Sequence, residues 1–369
     1  MPKNVVVCCD GTGNSFENPE TDSNVVKLYS SLTIDENQVA YYHPGVGTMG
    51  DPNARNRVAR QWTLIKGMAF GAGLQANIAD AYRYLMNHYA DGDQIYLFGF
   101  SRGAYTARAL ASLLHVYGLL CAGNDGLVPY ILRLYSKTTR EANYKKKTFV
   151  TDESFKWQFS HSHPVNVHFC GVWDTVSSYG WIYSPIKLPF EGDNPIIRIG
   201  RHAISIHERR CFFQDNLWGK GGDGQDLHQV WFSGVHSDIG GSYDESESGL
   251  SKITLEWMMV EAGKAGLLIN RDKAETVLGR QRSDLAERQL PNYIEPDPNG
   301  GKHESLTGFW WIPEFMPQMD PHAHSKRFIF PHGRSRQIPP GSYVHESVLA
   351  GRWKPGTLPP HQVEPRIPY

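Results

Sequence analysis

Five short apolar runs recur along the first two-thirds of the chain, each closed by a glycine or a polar residue. Val5 to Cys9, Gln38 to Tyr42, Gln94 to Phe100, Val165 to Trp173 and Gln229 to Val235 are rich in branched and aromatic side chains. Such short, nearly continuous hydrophobicity predicts strands buried on both faces, as in a parallel sheet. Between the runs the period lengthens. Residues 24–32, Leu74 to Leu85, Arg102 to about Leu120 and Leu255 to Leu267 carry apolar positions three and four apart, which predicts helices. A further helix is expected within 121–163 and another around His202 to Cys211. Alternating strands and helices make an α/β fold with a doubly wound, mostly parallel sheet.

The same pattern divides the chain. Residues 1–270 read as one folded unit with insertions at about 121–163, which holds the lysine-rich stretch Lys137 to Lys147, and at 178–228. Residues 49–66 form a polar connection bearing Arg55, Arg57, Arg60 and Lys66. From 271 to 369 proline and glycine rise, periodicity fades, and Gly308 to Pro313 holds a dense aromatic knot. This irregular C-terminal segment is expected to pack on the same domain, as a lid over the sheet's ligand edge or as inert wrapping.

The third run leads into Gly99-Phe100-Ser101-Arg102-Gly103 and then a helical stretch. Strand, sharp turn bearing a serine, helix: this is the nucleophile elbow of an α/β-hydrolase-like fold. A turn that tight leaves no room for side chains flanking the serine, which accounts for both glycines. Other runs also end in polar residues at what would be the same sheet edge, where open α/β sheets bind ligands. Val5 to Cys9 ends in Asp10-Gly11-Thr12-Gly13-Asn14. Backbone N–H groups of Gly11 or Thr12, with that of Arg102, are candidates for an oxyanion hole, and Asp10 is a secondary candidate or a cap. Asp174 follows the fourth strand and suits a general-base orienter or a turn. For the base, two of the 16 histidines stand out. His236 follows the fifth strand, and His345 comes late in the chain; both satisfy the order serine, acid, histidine. Asp238 is a secondary candidate, to share the orienting role or to fix the loop.

Composition narrows the function classes. Lysine plus arginine number 37 against 38 acidic residues, so no broad nucleic-acid-binding surface is expected. Five cysteines, two of them adjacent on a strand, do not make a disulfide framework, and without a Cys-x-x-Cys there is no support for a thiolate zinc site. Serine hydrolysis calls for neither metal nor organic cofactor. The N-terminal apolar run is too short for a signal peptide and no stretch is long enough to span a bilayer, so synthesis in the cytoplasm is expected.

Five ordered motifs carry a resemblance across residues 3–270: Asp10-Gly11-Thr12-Gly13-Asn14, Gly45-Val46-Gly47, Gly99 to Ala104, Val172 to Val176 and Gly234 to Gly241. The chain resembles a large family of microbial α/β-hydrolases long catalogued as a domain of unknown function, which includes the lipase effectors of type VI secretion. The resemblance implies a triad of Ser101, Asp174 and His236 and an ester or phospholipid substrate; the residues alone also fit an esterase or amidase on a soluble small molecule, or an inactive hydrolase fold that serves as a binding module. It also implies peripheral membrane contact, export by a signal-independent apparatus, and a secretion or immunity partner. Two departures stand near the motifs: His207-Glu208-Arg209 where relatives carry Asp-Glu-Arg, and Gly240-Gly241-Ser242-Tyr243 where they carry a third glycine.

Overall fold

In the computed structural model, eight strands build one sheet: β1 (Asn4–Cys9), β2 (Gln38–His43), β3 (Gln94–Phe100), β4 (Val167–Trp173), β5 (Ile197–Ser205), β6 (Asp226–Phe232), β7 (Tyr343–His345) and β8 (Gln362–Glu364). The structure describes residues 2–11, 19–45, 72–138, 148–176, 180–181, 184–185, 192–281, 290–319 and 328–369. The strand order is β8-β7-β6-β5-β4-β3-β1-β2, with every neighbouring pair parallel. From β1 the chain goes outward to β2 and then returns to place β3 on the other side of β1. That reversal is a topological switch point, and it opens a crevice at the C-terminal ends of β1 and β3.

Both faces of the sheet are covered, which explains the continuous apolar runs. Val5, Val7 and Cys9 of β1 pack with α2 (Ala72–His88), α3 (Arg102–Tyr117) and α4 (Val128–Thr138). Val6 and Cys8 face the opposite layer, made with α1 (Asn24–Ser30) and, later in the chain, a helix over Gly249–Lys264. Each fully buried valine or leucine contributes roughly 1.5–3 kcal/mol, so the period of two persists although both faces are apolar.

Several expectations change. The helix expected around His202 to Cys211 is instead the strand β5, followed by a short 3-10 turn at Cys211–Phe213. A main-sheet strand therefore lies inside the stretch read as an insertion. Arg201 and His202 disguised it: Arg201 is buried because it pairs with Glu261 and Asp226, and the His202 ring accepts from the Thr175 N–H. Among its described residues the 121–163 stretch holds α4 and α5 (Thr148–Phe159), after a short 3-10 turn at Asp125–Leu127. The C-terminal segment is not wholly irregular, since it supplies β7 and β8 to the main sheet. Helix α3 stops at Tyr117, where Gly118 takes a φ of 71°. The polar connection at 49–66 lies outside the described residues.

Backbone approaches backbone closely at the elbow. A Cβ on Gly99 would lie 2.4 Å from the Gly103 carbonyl oxygen, and one on Gly103 would lie 2.1 Å from that of Cys9. Gly103 is thus the point where α3 rests on β1. Gly103→Ala is expected to lower stability by about 3 kcal/mol, read by urea unfolding. An unchanged midpoint would mean that helix and strand do not meet here.

Candidate active site

Ser101 joins β3 to α3 with φ 58° and ψ −119°, a strained conformation for a residue with a side chain. Its N–H remains in the sheet ladder, donating to the Trp173 carbonyl at 3.0 Å, so the strain sits on a fixed frame. One strand over, the Asp174 N–H donates to Ala203 at 2.8 Å, and Asp174 has φ 40°. Neighbouring parallel strands therefore present a serine and an aspartate at the same edge.

His236 closes the gap between them. It begins the short helix α6 (His236–Gly240), and its Nε2 lies 2.8 Å from Ser101 Oγ. Its Nδ1 lies 2.5 Å from Asp174 Oδ2. With Nδ1 donating to the carboxylate, Nε2 is left to accept from the serine hydroxyl. Phe100 and Phe213 hold the ring, with centroids 4.7 and 4.8 Å from it. All three polar residues are buried.

The loop that delivers His236 is braced by side chains at three successive backbone N–H groups. Gly234 donates to His207 Nδ1, Val235 to Asp238 and His236 to Glu208, at 2.9, 2.9 and 3.1 Å. Glu208 also accepts from Ser305 Oγ and from the Arg209 and Arg210 N–H groups, and it pairs with the Arg210 guanidinium. Burial pushes the Glu208 carboxyl up, but Arg210 outweighs it and takes the group down to about 2. Burial lowers His207 to about 4, which keeps its Nδ1 an acceptor.

A cation reaches the site from far along the chain. Arg336 grips Asp174 with both terminal nitrogens, Nη1 to Oδ1 at 2.5 Å and Nη2 to Oδ2 at 3.1 Å. Its remaining bonds run to the Ser205 and Phe213 carbonyls, and Ser205 N–H donates to Asp174 Oδ1 at 2.9 Å. Burial pushes Asp174 up, yet Arg336 and His236 overcome it and hold the carboxyl well below the usual range. Burial lowers His236 below its ordinary value of 6.5, and Asp174 opposes only part of that fall.

The remaining expected residues fall in different places. Asp10 accepts from Ser23 Oγ and Tyr42 Oη, both at 2.7 Å, and ties β1 to β2. Gly11 lies against Ser101, but its N–H donates to Asp10 Oδ1 at 2.6 Å. Thr12, and Val46 and Gly47 of the second glycine loop, lie outside the described residues. The Arg102 N–H is the first of α3 and has no carbonyl within the helix to meet. Asp238 braces its own loop and bonds His303 Nδ1 at 2.7 Å rather than reaching His236. His345 is buried on β7, bonded to Ser347 and stacked on Phe232, and is not brought to Ser101. Among the described residues no cluster of three or more histidine, cysteine, aspartate or glutamate side chains is set to hold a metal ion. No helix among them is long and apolar enough to cross a membrane. Arg336 and Phe213 had no sequence signal; Glu208 had a faint one, in the run that departs from the related pattern.

A parallel α/β sheet with a serine elbow at its switch point defines a hydrolase-like fold. The sequence pattern described as the type VI secretion phospholipase effector Tle1-like catalytic domain matches residues 3–261, and the chain belongs to that family. An uncharacterized protein of Saccharomyces cerevisiae, YEL023C, is 35% identical over 221 residues, covering 58% of this chain and 32% of its own. The present chain thus spans about a third of that relative. Among solved structures, an uncharacterized protein from Pseudomonas aeruginosa aligns with 80% of this chain and 49% of its own, at 18% identity and a TM-score of 0.45. A Tle1 effector bound to the VgrG spike of the type 6 secretion system aligns with 68% and 53%, at 19% identity and a TM-score of 0.36.

Removing Glu208 would leave Arg210, Ser305 and the His236 N–H without their buried partner. Glu208→Ala is expected to cost about 3–5 kcal/mol of stability, measured by chemical denaturation. A loss below about 1 kcal/mol would show that water replaces the carboxylate.

Proposed function

We propose that the chain is a serine carboxyl-ester hydrolase acting on phospholipid. The observation that carries the reading is the unbroken chain of contacts Ser101–His236–Asp174 on an elbow held by Gly99 and Gly103. In this mechanism His236 Nε2 takes the Ser101 proton as Oγ attacks the ester carbonyl. Asp174 fixes the ring and balances the imidazolium. The Arg102 N–H, at the positive end of α3, stabilises the oxyanion. His236 returns its proton to the leaving alcohol. It then activates the water that hydrolyses the acyl-serine.

The phospholipid part rests on the family and on one surface. Trp311, Ile312, Phe315, Met316, Phe328 and Phe330 are exposed by 36–59% within one short stretch. Trp310 leads from that stretch inward to Phe213, which lies on His236. Aromatic and aliphatic side chains grouped beside Arg209 and exposed Arg334 suit the boundary of an anionic bilayer.

A fluorophosphonate probe is expected to label wild-type protein and not Ser101→Ala or His236→Ala, with ester turnover falling on the order of 10⁴-fold or more in both. Labelling that survives Ser101→Ala would remove the mechanism. Because burial lowers His236, kcat/KM should hold as pH falls to 6.5 and decline only below it, as the base becomes protonated. An acid limb above 6.5 would contradict the site's desolvation. Ile312→Asp with Phe315→Asp should abolish turnover of phosphatidylglycerol vesicles while leaving p-nitrophenyl butyrate turnover within about threefold. Equal loss on both substrates, or turnover of the soluble ester alone by the wild type, would overturn the lipid assignment.

A further inference from the structure

Arg336 stands outside the segment that matches the family, and it lies 162 residues from the aspartate it holds. Its side chain is only 5% exposed, against 1% for Asp174, so the pair is largely withdrawn from water. A planar guanidinium that meets both oxygens of one carboxylate fixes the plane of that carboxylate as well as its place. Here that plane is the one against which Asp174 Oδ2 receives His236 Nδ1. The carboxylate is held from three sides, by Arg336, by the Ser205 N–H and by His236.

The charges around His236 give this grip a second consequence. Asp174 at the end of β4, Glu208 and Arg210 after β5, and Arg336 from the C-terminal segment make two carboxylates and two guanidiniums. Asp215 also faces Arg336, while His202, lowered by burial to about 3, stays neutral. The four groups nearest the ring, Asp174, Glu208, Arg210 and Arg336, sum to zero charge before His236 takes up a proton. Without Arg336 they would carry an excess negative charge next to the ring, which favours the imidazolium.

We infer that Arg336 is a positioning residue of the proposed hydrolase: it fixes the Asp174 carboxylate and offsets its charge, so that His236 stays a neutral base. The inference rests on the mechanism proposed above. It makes the C-terminal segment a component of the site rather than a cover for it.

The test titrates the His236 ring by NMR in wild-type protein, Arg336→Lys and Arg336→Met, and measures kcat and kcat/KM against pH on p-nitrophenyl butyrate. Arg336→Met should raise the His236 titration and the acid limb by about one pH unit and lower kcat at least 30-fold. Arg336→Lys keeps the charge but not the fork; it should leave the titration within a few tenths of a unit and lower kcat about 10-fold. An unmoved titration in folded Arg336→Met, or wild-type kcat in Arg336→Lys, would overturn the inference. If Arg336→Met does not fold, Asp174→Asn with Arg336→Met removes both buried charges together. Its kcat should lie within threefold of Asp174→Asn alone, and a further 10-fold loss would count against the role. A wild-type protein that fails to label at Ser101 would sink the hydrolase reading instead, and the ring titration would still report on Arg336.

Discussion

A carboxylate sealed in the protein interior sets the terms for everything around it. Taking Asp174 out of water costs several kcal/mol unless opposite charge and hydrogen bonds meet it. The fold answers with a guanidinium, an imidazole and a backbone N–H on its two oxygens. Each partner arrives on a different element: Arg336 from the C-terminal segment, His236 from the loop after β6, and Ser205 from the end of β5. Satisfying one anion therefore fixes the relative positions of three parts of the chain. The serine is added to this set by its own strand, which lies next to that of the aspartate.

The sheet makes such convergence possible. In a parallel sheet every strand delivers its C-terminal residue to the same edge, and here β3, β4, β5 and β6 deliver Ser101, Asp174, Ser205 and the His236 loop in spatial as well as sequence order. The switch point between β1 and β3 keeps the neighbouring crevice open, while α3 aims its N-terminus there. Strained φ angles at Ser101 and Asp174 are tolerated because the N–H of each remains in the ladder.

What could be read from the sequence follows from the range of the interactions. The elbow depends on contacts within a few residues, so Gly99, Ser101 and Gly103 announced it locally. The apolar runs of β1, β3 and β4 announced buried strands for the same reason. Strand β5 was hidden because Arg201 and His202 look solvent-facing until Glu261, Asp226 and the Thr175 N–H are brought beside them. Nothing near residue 336 in the sequence distinguishes its arginine from Arg334, two positions away; only the folded chain tells a buried clamp from a surface charge. Asp238 shows the limit of nearness in sequence: of the two roles open to it beside His236, orienting the ring or fixing the loop, its oxygens take the second, turning to the loop and to His303.

The position of Arg336 also orders events in time. A ribosome makes Ser101, Asp174 and His236 first and adds roughly a hundred more residues before the arginine. At about 5–20 residues per second that interval is on the order of ten seconds. During it the emerging chain holds Ser101, His236 and Asp174 but lacks the cation that pairs with Asp174. Sheet assembly can begin early, whereas the interior around Asp174 can close only after Arg336 has been made. Of the residues gathered around Asp174, Arg336 is therefore the last to be made.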